Sequence, residues 1–90
     1  MDPIFVEFKN RDSGQQDWLD ARRIYRVYPC PEAEHLGYAL IWLDILDVNG
    51  KPLVILADMA ADEFMDLLNR TIYNGLNERN PTRRNHGKQH

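Results

Sequence analysis

The chain has 90 residues, 43% of them hydrophobic and 28% charged, with a formal net charge of −3. So short a chain buries only about two-thirds of its unfolded surface, enough for one core but not for a deep, enclosed active site. The lone cysteine, Cys30, excludes an intramolecular disulfide, and the longest apolar run, residues 38–43, is far shorter than a membrane-spanning helix of about 20 residues.

Charge is unevenly distributed. Residues 1–78 carry seven bases against all 14 acids, a balance of −7, whereas residues 79–90 carry four bases and no acid. The expected organisation is one compact domain over 1–78 with a basic, disordered tail over 79–90. The opening MDPIFVEFKN lacks the basic, apolar and small-residue succession of a secretory signal. With a single thiol, that points to a soluble, cytoplasmic protein without a membrane partner.

Residues 4–9 read as a first strand, with Ile4, Val6 and Phe8 on one face. NRDSGQQ is loop chemistry. Ser13 is placed to cap a short helix over QQDWLDAR. A β-rich second strand covers residues 23–28. PCPEAEHLG is a loop, because its two prolines block regular pairing.

The third strand, residues 38–48, is apolar on both faces: Ala39, Ile41, Leu43 and Ile45 on one, Tyr38, Leu40, Trp42 and Leu46 on the other, with only Asp44 interrupting. Asn49 and Gly50 predict a two-residue type I′ turn into a fourth strand over 51–57. That turn pairs Ile45 with Val54, Leu43 with Leu56, Leu46 with Leu53, and Asp44 with Ile55. Pro52 then faces Asp47 with its missing N–H pointing outward, so the fourth strand is a sheet edge and the third is internal.

The remaining element is a long helix. Asp58 is its expected N-cap, and Phe64, Leu67, Leu68, Ile72 and Leu76 recur at the spacing of one buried stripe. Asp66 and Arg70 form an i, i+4 pair, and Gly75 weakens the helix or begins its end. The predicted fold is α+β: a small antiparallel or mixed four-stranded sheet with one long C-terminal helix on one face, in the order β, short α, β, β, β, α.

One helix covers one sheet face. The other is covered either internally, by Trp18 and Leu19 or by the loop at His35 and Leu36, or by a second molecule. A protein partner would meet Tyr38, Leu40, Trp42 and Leu46 as apolar contacts, with Arg26 and Asp44 paired to fix orientation. These features predict a non-enzymatic protein-interaction module, a homodimer or an inhibitor or adaptor that masks a larger protein partner. The alternative is a nucleic-acid-binding accessory protein that uses Arg22, Arg23, Tyr25 and Arg26, with Arg83 and Arg84 from the tail.

Catalytic furniture is sparse. Cys30 and His35 lie five residues apart, which alone neither activates a nucleophile nor supplies the four ligands of a structural zinc. His86 and His90 would share a face only on a helix, and the tail has no helical pattern. The five glycines are scattered, so no phosphate-cradling loop exists. The helix dipole and the turn account for most acid pairs. No metal, cofactor or catalytic residue is assigned.

Overall fold

The computed structural model describes residues 2–78, apart from the Glu78 side chain. The basic tail, with Arg83, Arg84, His86 and His90, lies outside the described residues. Five strands and one helix follow in order: β1 (Phe5–Lys9), β2 (Gln16–Asp20), β3 (Ile24–Pro29), β4 (Tyr38–Leu46), β5 (Pro52–Ala60) and α1 (Ala61–Glu78). Single 3₁₀ turns at Ala21–Arg23 and Ala33–His35 lead into β3 and β4. The fold is small α+β, as the sequence predicts, but with five strands in two antiparallel sheets, β1-β2 and β3-β4-β5, rather than four in one.

The fifth strand is β2, which replaces the short helix expected from QQDWLDAR. Ser13 is not a helix cap. The Asn10 side chain accepts the N–H groups of Asp12 and Ser13, the Ser13 hydroxyl accepts that of Gln15, and Gly14 adopts a left-handed φ of 71°. Together they reverse the chain tightly enough for β2 to pair with β1, Val6 opposite Leu19 and Glu7 opposite Trp18. So short a segment cannot sustain a helix by itself, and the pairing decides its conformation.

The helix packs on the inner face of the three-stranded sheet. Val6 and Phe8 from β1, Ala39, Ile41 and Leu43 from β4, Ala57 from β5, and Phe64 and Leu68 from α1 form one buried cluster. Phe8 and Phe64 meet edge to face with centroids 5.5 Å apart. Leu67 and Ile72 flank this core, but Leu76, the last residue of the predicted stripe, is exposed. β5 passes straight into α1, so Asp58 lies in a strand and does not cap the helix. Asp62 and Glu63 occupy the first helical turn, and the Ala61 N–H donates to the Gly37 carbonyl at 3.0 Å. Arg70 donates to the Asp66 backbone carbonyl rather than to its carboxylate. Gly75 does not end the helix. A Cβ there would lie 2.9–3.0 Å from three carbons of Ile4, so glycine lets α1 close onto the start of β1.

β4 is central and β5 is an edge, as Pro52 suggested. The turn between them differs from expectation. Val48 and Asn49 have negative φ, Gly50 has φ 77°, and the Gly50 N–H donates to the Asp47 carbonyl at 3.0 Å. This is a type I turn closed by a left-handed glycine, with Asp47 paired to Lys51. The register shifts accordingly: Leu46 faces Pro52, Trp42 faces Val54, Ile41 faces Ile55 and Leu40 faces Leu56, with irregularities between Trp42 and Leu46 and between Tyr38 and Leu40. The shift is odd in the body of the hairpin. Ile55 therefore joins the core side with Ile41, and Val54 and Leu56 join Trp42 on the outer side.

Candidate docking surface

Residues paired across a ladder share a face, which defines the outer surface of the three-stranded sheet. Arg26 and Tyr28 of β3 pair with Trp42 and Leu40 of β4, which pair in turn with Val54 and Leu56 of β5; Leu46 and Pro52 extend the face toward the turn. The ladder skips between Ile24 and Arg26, and there the Tyr25 ring meets Trp42 edge to face at 6.5 Å. Tyr28 lies against Trp42 from the other side at 6.0 Å. The indole is thus in ring contact with two phenols on the outer face of the sheet.

The chain itself closes the base of this face, but not through Trp18, which is 58% exposed on the outer side of the β1-β2 ribbon. The cover is Arg11, from the β1–β2 turn. Its guanidinium lies 3.8 Å above the centroid of the Tyr38 ring. Arg11 Nη1 donates to Asp58 Oδ1 at 2.9 Å, Nε to His35 Nδ1 at 2.9 Å, and Nη2 to the Glu34 carbonyl at 3.5 Å. Lys9 adds a second cation 3.8 Å from Asp58. The Arg11 N–H also donates to the Leu56 carbonyl, and Asn10 bridges Ala57, so the turn is stitched to the edge of β5. One side chain therefore ties the β1–β2 turn, the β3–β4 loop, β4 and β5 together. Leu56, on the outer side at this end, is only 6% exposed. The loop carrying His35 contributes to the closure, as one internal covering predicted, whereas Leu36 points to solvent.

Toward the turn the face is bare among the described residues. Leu46 is 64% exposed, Val48 fully exposed, and Ile45, Leu53 and Val54 each about two-fifths exposed. The hairpin end is apolar on both sides and continuous with the Trp42 cluster through Val54. The Trp42 Nε1 proton is buried with no acceptor among the described residues, a group whose desolvation costs about 1–3 kcal/mol.

The sheet edges are protected where the face is not. The Cys30 N–H donates to the Tyr38 carbonyl, so in a regular ladder the Pro29–Ala39 pair is not hydrogen-bonded and the imide nitrogen of Pro29 points outward from β3. The Asp47–Lys51 bond sets the same phase at the other edge, where Pro52 points outward from β5. A proline at each edge removes a donor that a further strand would need.

The residues singled out from the sequence are scattered differently than expected. Leu40, Trp42 and Leu46 share the outer face, but Tyr38 lies beneath Arg11 and belongs to the closed end. Asp44 does not pair with Arg26. Its carboxylate lies 3.7 Å from Arg23, and both groups are about half exposed. Arg26 sits 5.6 Å from the Tyr28 ring centroid with no carboxylate partner among the described residues. Arg22 is committed to Asp20 at 2.9 Å, and these hydrogen bonds hold the Asp20 carboxyl below its usual range and raise the guanidinium. The nucleic-acid set is thus divided: Tyr25 and Arg26 lie by the Trp42 cluster, while Arg22 and Arg23 answer carboxylates. Cys30 is a buried thiol, and His35 is engaged by Arg11. Among the described residues no three His, Cys, Asp or Glu side chains converge as metal ligands, and no helix is long and apolar enough to cross a membrane. Pro52 and Val54 enter the site only through the observed register.

Comparison with protein-family models, with curated proteins and with solved structures finds no match.

Proposed function

We propose that this protein is a non-enzymatic protein-interaction module that docks through the outer face of the β4-β5 hairpin. One observation carries it. Val54 stays exposed opposite Trp42, and Leu46 and Val48 stay exposed toward the turn, although the same chain seals the other end of that face with Arg11. Monomers seldom leave a contiguous apolar patch of several hundred Å² uncovered, and aromatic side chains are enriched at interface centres. In this reading the protein works in the cytoplasm by occupying and masking a surface, as an inhibitor or adaptor of a larger protein or as part of a homodimer. The aliphatic hairpin end favours a protein partner, because aliphatic side chains offer little to a phosphate backbone.

The test is site-specific photo-crosslinking in the native cytosol. A photoreactive side chain replacing Val54 should give discrete protein adducts, and one replacing Asn69, on the exposed side of α1, should not. Absence of adducts at position 54, or equal labelling at both positions, would end the docking reading.

A second reading has one observation in its favour. Tyr25, Arg26 and Tyr28 gather around Trp42 on an open sheet, an arrangement able to stack bases and contact phosphates. It predicts binding of a fluorescent single strand at low salt that weakens steeply as salt rises. No binding at low salt rejects it.

A further inference from the structure

We propose that the occupant of this face is a second copy of the chain, packed sheet against sheet about a two-fold axis. The inference rests on the docking reading above and names its partner. Shape is the first argument. The outer face is the open side of a three-stranded sheet, and a second sheet packs on such a face at the usual spacing of about 10 Å. Edge-to-edge pairing is disfavoured at one point on each side, since Pro29 and Pro52 each remove an outward donor.

Charge is the second. Among the described residues, the face beside Trp42 carries one cation without a carboxylate, Arg26, and one half-exposed carboxylate, Asp44, held only weakly at 3.7 Å by Arg23. They lie on adjacent strands, with Arg26 opposite Trp42 and Asp44 two residues beyond it. A two-fold axis near Trp42 brings each Arg26 toward the other copy's Asp44, so the surface complements itself twice.

Size sets the strength. Three strands spaced about 4.8 Å apart, with about seven residues rising about 3.3 Å each, present only about 300 Å² in projection. The hairpin end adds to this, but the total is below the roughly 800 Å² per partner of a standard interface. An interface of that size places self-association at the weak end, which sets a wide concentration range for the test.

The test is sedimentation from about 1 to about 300 μM, with a charge swap divided between two chains. Arg26→Asp alone and Asp44→Arg alone each place two like-charge contacts in the dimer and should weaken it at least tenfold. Mixed in equal amounts, the two variants form a heterodimer in which both contacts are again opposite in sign, and the dimer should return. Both positions are exposed, and circular dichroism checks that the variants fold. A wild-type dimer with this loss and recovery supports the proposal. A dimer indifferent to both swaps, or weakened without recovery on mixing, overturns it. So does a wild-type monomer throughout the range, and a hydrophobic dye then separates two cases. Dye binding that falls on Val54→Asp leaves the face open for another protein, whereas no dye binding removes the docking reading as well.

Discussion

Replacing Arg11 with alanine tests whether one side chain closes the base of the outer face. The loss can be estimated from its contacts. Arg11 and Asp58 side chains are 28% and 31% exposed, so their 2.9 Å bond is better shielded than a surface ion pair. A hydrogen bond to a charged group contributes about 1.5–3 kcal/mol, and a guanidinium over a phenol about 0.5–1 kcal/mol. The His35 bond adds a smaller amount, while Lys9, 3.8 Å away, still partly neutralises Asp58 after the substitution. These contributions share one side chain and do not add fully. The expected loss is about 2–3 kcal/mol, out of roughly 4–12 kcal/mol for a domain of this length. Urea unfolding followed by tryptophan fluorescence should show the midpoint falling by about 2 M, given a slope of about 1 kcal/mol/M. Arg11→Lys keeps the charge but not the planar fork and should recover less than half of the loss. Arg11→Ala and Asp58→Asn, alone and combined, should show coupling of at least about 1 kcal/mol. A single-variant loss under about 0.5 kcal/mol, or additive effects, would refute the clasp.

Three further outcomes follow from local geometry. Gly75→Ala gains about 1 kcal/mol of helix propensity but forces Cβ against Ile4, so it should destabilise by about 1 kcal/mol, yet stabilise when Ile4→Ala is also present; thermal unfolding of the four chains shows whether the sign reverses. Gly50→Ala meets no atom within 4 Å but must hold φ near 77°, costing about 1–2 kcal/mol, and Gly50→Asn should cost less because asparagine tolerates that region; equal losses would mean packing rather than strain. The Asp20 carboxyl is lowered from 3.8 by its hydrogen bonds from Arg22, so its contribution to stability is present above about pH 4 and disappears as pH falls through the folded value; the stability gap between wild type and Asp20→Asn should narrow between pH 7 and pH 3 and must not widen.

Where sequence and structure diverge, the cause is pairing across the chain. The helix stripe, the central position of β4 and the edge position of β5 follow from local periodicity and from one proline, and all three were legible. β2 was not, because Asp17, Trp18 and Leu19 satisfy a helix or a strand equally well until β1 supplies hydrogen-bond partners. Asn49 and Gly50 invited a two-residue turn, but the deciding residue is Asp47. Its carboxylate accepts the N–H groups of Asn49 and Lys51, and aspartate first with glycine fourth is the signature of a type I turn. Reading it so would have paired Leu46 with Pro52 and put Val54 and Leu56 on the Trp42 face, whereas the step that sets Val54 opposite Trp42 comes from the irregularity between Trp42 and Leu46. The Arg11 clasp had no local signal at all, since its partners lie 24 and 47 residues away.

The outer face is closed at one end by charge and left open at the other, and the two facts are connected. A long guanidinium seals the base without full burial, because its planar head stacks on Tyr38 while its edge satisfies Asp58 and His35 and the side chain stays 28% exposed. It also holds the β1–β2 turn, the β3–β4 loop and the base of the hairpin as one unit, which fixes the direction in which the hairpin leaves the core. The bare residues are therefore presented from an anchored base, and preorganisation of that kind lowers the ordering cost of docking. Loosening Arg11 should then weaken association at the far end of the face, through Leu46 and Val54, without touching either residue. A stable Arg11→Lys chain that docks as well as wild type would show that the two ends are independent.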